Sequence, residues 1–157
     1  MYYYFAMKYS LITGYIRLHG ETKNAKTKGG TKMFNKLLDT INPTYIKYVN
    51  ELVESILNKG WQGAPILYHE SIGLITGSHR VEALKKIEEM YYNNELTEEQ
   101  EEKMRKLADT EEYAYDVTDI IDKWMEENPN EDLRYDSLGK IFEGTEVEQW
   151  KEEISEW

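Results

Sequence analysis

From Gly60 to Ile87 the chain reads GWQGAPILYHESIGLITGSHRVEALKKI, and no other stretch constrains the fold as much. Two short apolar runs separated by a turn lead into Gly77-Ser78-His79-Arg80, and an amphipathic pattern starts at once. A strand that ends in a glycine turn and opens a helix aims unpaired backbone N–H groups, and the positive end of the helix dipole, at one point. With His79 and Arg80 beside it, that point reads as a place for a phosphate or another anion.

The rest of the chain supplies a frame for that turn. Tyr9 to Leu18 is rich in β-branched and aromatic residues and predicts a strand, with Gly14 as a bulge. His19 to Lys32 is polar, contains Gly29-Gly30 and carries four lysines, among them Lys28 and Lys32. It has no hydrophobic period and is expected to be a loop, one that could serve as a lysine-rich lid over an anion. Met33 to Thr40 predicts a short helix. A second helix follows with Pro43 in its first turn and Tyr45, Val49, Leu52, Val53, Ile56 and Leu57 on one face, ending at Gly60.

Ala64 to Tyr68 and Gly73 to Thr76 predict a hairpin turning at Glu70-Ser71, and Arg80 to Met90 a helix facing inward through Val81, Leu84 and Ile87. Residues 91–112 form a charged excursion with a helix start at Thr97-Glu98-Glu99-Gln100, too poor in apolar residues for a deep core. Tyr113 to Ile121 is expected to run from a last strand into a helix over Asp119 to Glu127, capped by Thr118 or Asp119. Beyond Asn128-Pro129-Asn130 a short helix around Leu138 to Phe142 precedes a stripe of Val147, Trp150, Ile154 and Trp157. Such a stripe most often docks on its own domain; it could also support a homodimer. The expected class is α+β, a small mixed sheet with surrounding helices, over residues 1–127, followed by an acidic helical extension at 128–157 packed on the same domain.

Charge divides the 157 residues unevenly. Residues 1–87 hold twelve Lys/Arg against six Asp/Glu, whereas residues 88–157 hold seven against twenty-four, and the net charge is -11. The anion-binding turn therefore lies in a mildly basic half. The acidic half would repel phosphates, so it is not expected to bind DNA. It reads as a solvated helical face, or as a surface that docks on a basic partner. The chain has no cysteine, which excludes disulfides and thiolate chemistry. No apolar run approaches the roughly 18 residues needed to cross a bilayer, and the N-terminus has no secretory pattern. The expected location is the cytoplasm. His19, His69 and His79 have no metal-ligand spacing, and no metal site is expected from protein side chains.

Taken in order, Glu51-Leu52 through Ser55-Ile56, Gly60, Pro65-Ile66, Leu74-Ile75, Gly77-Ser78-His79-Arg80 and Ala83 resemble the ParB N-terminal domain and sulfiredoxin superfamily. Members show a helix, a glycine, a Pro-Ile strand, a second strand and a G-x-x-R or G-x-H-R turn that opens a helix. Asp116-Val117-Thr118-Asp119 resembles their last strand. The likeness covers residues 45–90 well and 113–127 loosely. It implies a ParB/sulfiredoxin-like fold and a pocket for ATP or CTP, with Mg²⁺, whose phosphates lie on the turn. Gly77 would permit close approach, the Ser78 and His79 N–H groups would face phosphate oxygens, and Arg80 would supply a fork of charged donors. His79 is the catalytic candidate, as a donor or proton carrier; its alternative is a satisfied histidine at a helix start. For Arg80 the alternative is a surface ion pair with Glu51 or Glu54.

Departures from the superfamily pattern narrow the function. Ser78 stands where sulfiredoxins carry their catalytic cysteine, which excludes sulfinic acid reduction. Thr76 stands where kinase- and nuclease-type members have an acidic residue. The acidic half replaces the basic DNA-binding domain of partition proteins. Two expectations follow. One is a nucleotide- or phosphate-binding ParB-like protein, of the kind phages and mobile elements encode, working as an ATPase, phosphotransferase or nuclease. The other is a non-catalytic acidic protein that inhibits a basic host nucleic-acid-binding or defence enzyme.

Overall fold

The computed structural model describes residues 33–39 and 43–153, apart from the Tyr135 side chain. The strand expected at Tyr9 to Leu18 and the lysine loop lie outside these residues. Helix α1 spans Ile46–Lys59, strands β1 and β2 span Ile66–His69 and Gly73–Thr76, and α2 spans Ser78–Tyr92. Then come α3 at Glu98–Thr110, β3 at Ala114–Asp116, α4 at Thr118–Glu127 and α5 at Leu138–Phe142. Single 3₁₀ turns at Tyr135–Ser137 and Glu146–Trp150 flank α5. The class is α+β, with a small mixed sheet in the order β2-β1-β3. β1 pairs antiparallel with β2, placing Leu67 opposite Thr76, and parallel with β3, placing Leu67 opposite Tyr115.

Alternation along β1 and β2 divides the interior in two. Ile66 and Leu74 face one apolar cluster with Val53, Ile56, Leu84 and Ile87 from α1 and α2. Leu67 and Ile75 face the other, with Ile121 of α4, Ile141 and Phe142 of α5, and Val147. The sheet is thus covered on both faces, and the C-terminal segment completes the second cluster. Trp150 packs edge-on against Tyr115, 5.3 Å between ring centres, so the described part of the terminal stripe docks on its own domain. Among the described residues no helix is long and apolar enough to cross a membrane.

Four local expectations change. Residues 33–39 form no helix. Their N–H groups are taken by side chains instead: Phe34 N–H donates to Glu88 Oε2 (3.0 Å), and those of Asn35 and Lys36 donate to the Tyr113 hydroxyl (3.2 and 3.3 Å). Burial pushes the Tyr113 phenol up to about 12, so it stays neutral in this role. Helix α1 begins at Ile46, three residues after Pro43, and Tyr45 is 68 % exposed instead of sharing the buried face of Val49, Val53, Ile56 and Leu57. Helix α3 is more deeply seated than its charge suggests, because Met104 and Leu107 are both buried. Two such side chains contribute roughly 3–6 kcal/mol, enough to hold a helix of this length. At the start of α4 neither Thr118 nor Asp119 caps; Asp116 Oδ1 accepts from the Thr118 N–H (2.9 Å).

Candidate functional site

The turn between β2 and α2 opens a cleft of about 350 Å³. One wall is Thr76 to Arg80, a second is Tyr48, Glu51 and Leu52 of α1, and a third is Ala64-Pro65 with Glu153. Gly77 has φ 107°, a backbone region that L side chains rarely adopt. A Cβ there would also lie 3.3 Å from Ile66 Cγ1 and 3.4 Å from Ile66 Cα. The glycine is therefore required by its packing on β1, and it lets α2 start directly at the end of β2.

The first bond of α2 runs from the Val81 N–H to the Gly77 carbonyl (2.9 Å). The N–H groups of Ser78, His79 and Arg80 precede it and have no acceptor within the helix. The helix start has no side-chain cap and no acidic residue in its first turn. Beside it, Thr76 is 2 % exposed and its Oγ1 has no hydrogen-bond partner. A buried hydroxyl in that state costs about 1–3 kcal/mol. Thr76 thus lines the cleft as a neutral residue whose own hydroxyl is buried.

His79 and Arg80 are both held by neighbours. His79 Nε2 accepts the Tyr45 N–H (3.2 Å), which places the proton of the neutral ring on Nδ1. The ring stacks on Tyr45 (6.0 Å, 17°) and meets Tyr48 edge-on (5.9 Å). His79 is thus a helix-start histidine with one nitrogen engaged, and only Nδ1 is left to face a ligand. The Arg80 guanidinium donates to the Ala64 carbonyl and lies over the Trp61 ring, 5.3 Å from its centre. These contacts orient the side chain along the cleft wall. Glu51 and Glu153 add two carboxylates to the same cleft. Lys28 and Lys32, expected to contact phosphate, lie outside the described residues.

Sequence reasoning missed two features. Glu153 reaches back 89 positions to accept the Ala64 N–H (2.6 Å), a contact with no local signal. His69, buried in β1, donates from Nε2 to Asp122 Oδ1 (2.8 Å), while its Nδ1 accepts the N–H groups of Ser71 and Ile72 (3.0 and 3.2 Å). Both ring nitrogens are used, so this pair fastens the hairpin to α4 and has no spare nitrogen for chemistry. Among the described residues no group of three or more His, Asp or Glu could hold a metal. A larger groove of about 550 Å³ lies between α1 and α2, lined by Asn50, Glu54, Lys86 and Glu89, but it has no helix start. Compared with family models, characterised proteins and solved structures, the chain gives no match, so the ParB/sulfiredoxin resemblance rests on its residues alone.

Proposed function

We propose that this chain is a nucleotide- or phosphate-binding protein with a ParB/sulfiredoxin-type site, its ligand's phosphates seated at the start of α2. The observation that carries this reading is that Thr76, whose buried hydroxyl has no partner, lines the same cleft as an uncapped helix start. An anion there would satisfy the hydroxyl and the leading N–H groups together, with the dipole in its favour. Arg80 supplies charge. Tyr48, 54 % exposed and on the cleft wall, offers a ring face that favours a nucleotide over bare phosphate. Mg²⁺ would enter on the phosphates, with Glu51 as the nearest α1 carboxylate on the wall, since magnesium needs only one or two protein carboxylates when phosphates supply the rest.

Isothermal titration with ATP, CTP and GTP, with and without Mg²⁺, tests the reading. At least one is expected to bind, and Arg80→Ala is expected to weaken it by about 10- to 100-fold, the worth of a charge-assisted hydrogen bond. Absence of binding by all three overturns it.

A further inference from the structure

The cleft has a second anion-accepting point, and the chain fills it with its own side chain. Gly60 to Pro65 brings the Ala64 N–H to the cleft wall, where it donates to Glu153 Oε1 over 2.6 Å. Arg80 approaches the same place: a Cβ built on Gly63 would lie 2.6 Å from Glu153 Oε1 and 3.5 Å from Arg80 Nη2. Gly63, at φ +83°, leaves the space that both side chains use. The Ala64 N–H thus holds a carboxylate oxygen by a charge-assisted hydrogen bond, a donor that suits carboxylates and phosphates alike, on a cleft wall that the Arg80 side chain also lines.

The C-terminal segment is built to deliver Glu153 there. Val147 is fully buried and Trp150 packs on Tyr115, which fixes the chain up to Trp150. The Glu153 N–H then donates to the Trp150 carbonyl (2.9 Å), closing a turn that carries the carboxylate back to Ala64. Glu153 itself remains exposed. Its contact can therefore break without disturbing the core, and only the last turn beyond the Trp150 anchor has to move.

We infer that the Ala64 N–H, on the cleft wall that Arg80 also lines, is a subsite for a carboxylate or a terminal phosphate, and that Glu153 occupies it in cis as a competitor of the ligand. The inference rests on the anion-binding reading of the cleft and adds a subsite and its resident occupant. Ligand entering the subsite displaces the Glu153 carboxylate, which returns to water. The apparent affinity is then the intrinsic affinity reduced by the fraction of molecules whose subsite is open.

The test compares Glu153→Ala with Glu152→Ala, which removes the same charge one residue away from a side chain that does not line the cleft. Titrations use pyrophosphate and ATP on the full chain, and the Ala64 amide resonance is followed in parallel. Glu153→Ala is expected to bind about five- to tenfold tighter than the unaltered chain, with Glu152→Ala within twofold of it. The Ala64 resonance is expected to move in Glu153→Ala without ligand, and to move in the unaltered chain when ligand is added. Equal affinities for both variants, or weaker binding by Glu153→Ala, overturn the competitor role and leave the anion site standing. Failure of all three proteins to bind either probe overturns the site and the subsite together.

Discussion

Helices α2 and α3 have similar lengths, 15 and 13 residues, and begin in opposite ways. At α3 the Thr97 hydroxyl accepts the Gln100 N–H (3.1 Å) and the Gln100 side chain accepts the Thr97 N–H (3.0 Å), closing a capping box. Glu98, Glu99 and Glu101 fill its first turn with negative charge that complements the dipole. The start of α2 has none of this, although its chain is no less able to supply a cap. Gly77 occupies the capping position, and the first turn carries His79 and Arg80 in place of carboxylates. One helix start is complete within itself. The other has neither a side-chain cap nor a carboxylate in its first turn, and Glu153 lines the cleft beside it.

The largest effect that could break this contrast comes from closing the α2 start. Gly77→Ala places a side chain at φ 107° and within 3.4 Å of the Ile66 backbone. Such strain costs about 1–3 kcal/mol, so the urea midpoint is expected to fall with an unchanged slope. If Gly77→Ala is as stable as the parent, the glycine is not what sets the junction of β2 and α2. A smaller effect is expected at the closed start. Thr97→Ala removes one cap and should cost about 1 kcal/mol by the same urea measurement, while leaving nucleotide affinity unchanged. A change in affinity there would mean that the two helix starts are not independent.

The parts of this contrast differed in how well the sequence disclosed them. β2 and the start of α2 were legible because β-branched residues, a glycine and an amphipathic period follow in direct succession. Thr97 and Gln100 were legible for a similar reason, since a capping box is a pattern three residues long. Residues 33–39 were not, because a local apolar period says nothing about Glu88 and Tyr113 arriving from far along the chain to take their N–H groups. Tyr45 read as part of a buried face and instead is largely exposed, stacked on His79 across 34 positions. Glu153 lay in a run that reads only as a solvated acidic face. Within the candidate site, the turn itself could be read from the sequence; the groups that close around it could not.

The smallest expected change in stability is also the most discriminating. Thr76→Val replaces a buried, unpartnered hydroxyl by a methyl of nearly the same shape. If the hydroxyl serves only the fold, it is a defect, and the valine variant should exceed the parent in stability by about 1 kcal/mol, the low end of the cost of an unpaired buried hydroxyl, with ligand affinity untouched. If the hydroxyl bonds to a bound anion, stability should behave in the same way but nucleotide affinity should fall about 5- to 10-fold, the worth of one hydrogen bond of roughly 1 kcal/mol or slightly more. Stability and affinity moving in opposite directions would distinguish a residue kept for a ligand from one kept for packing. A loss of stability with no loss of affinity would instead place an unseen partner for Thr76 within the protein, and would make the start of α2 as self-contained as that of α3.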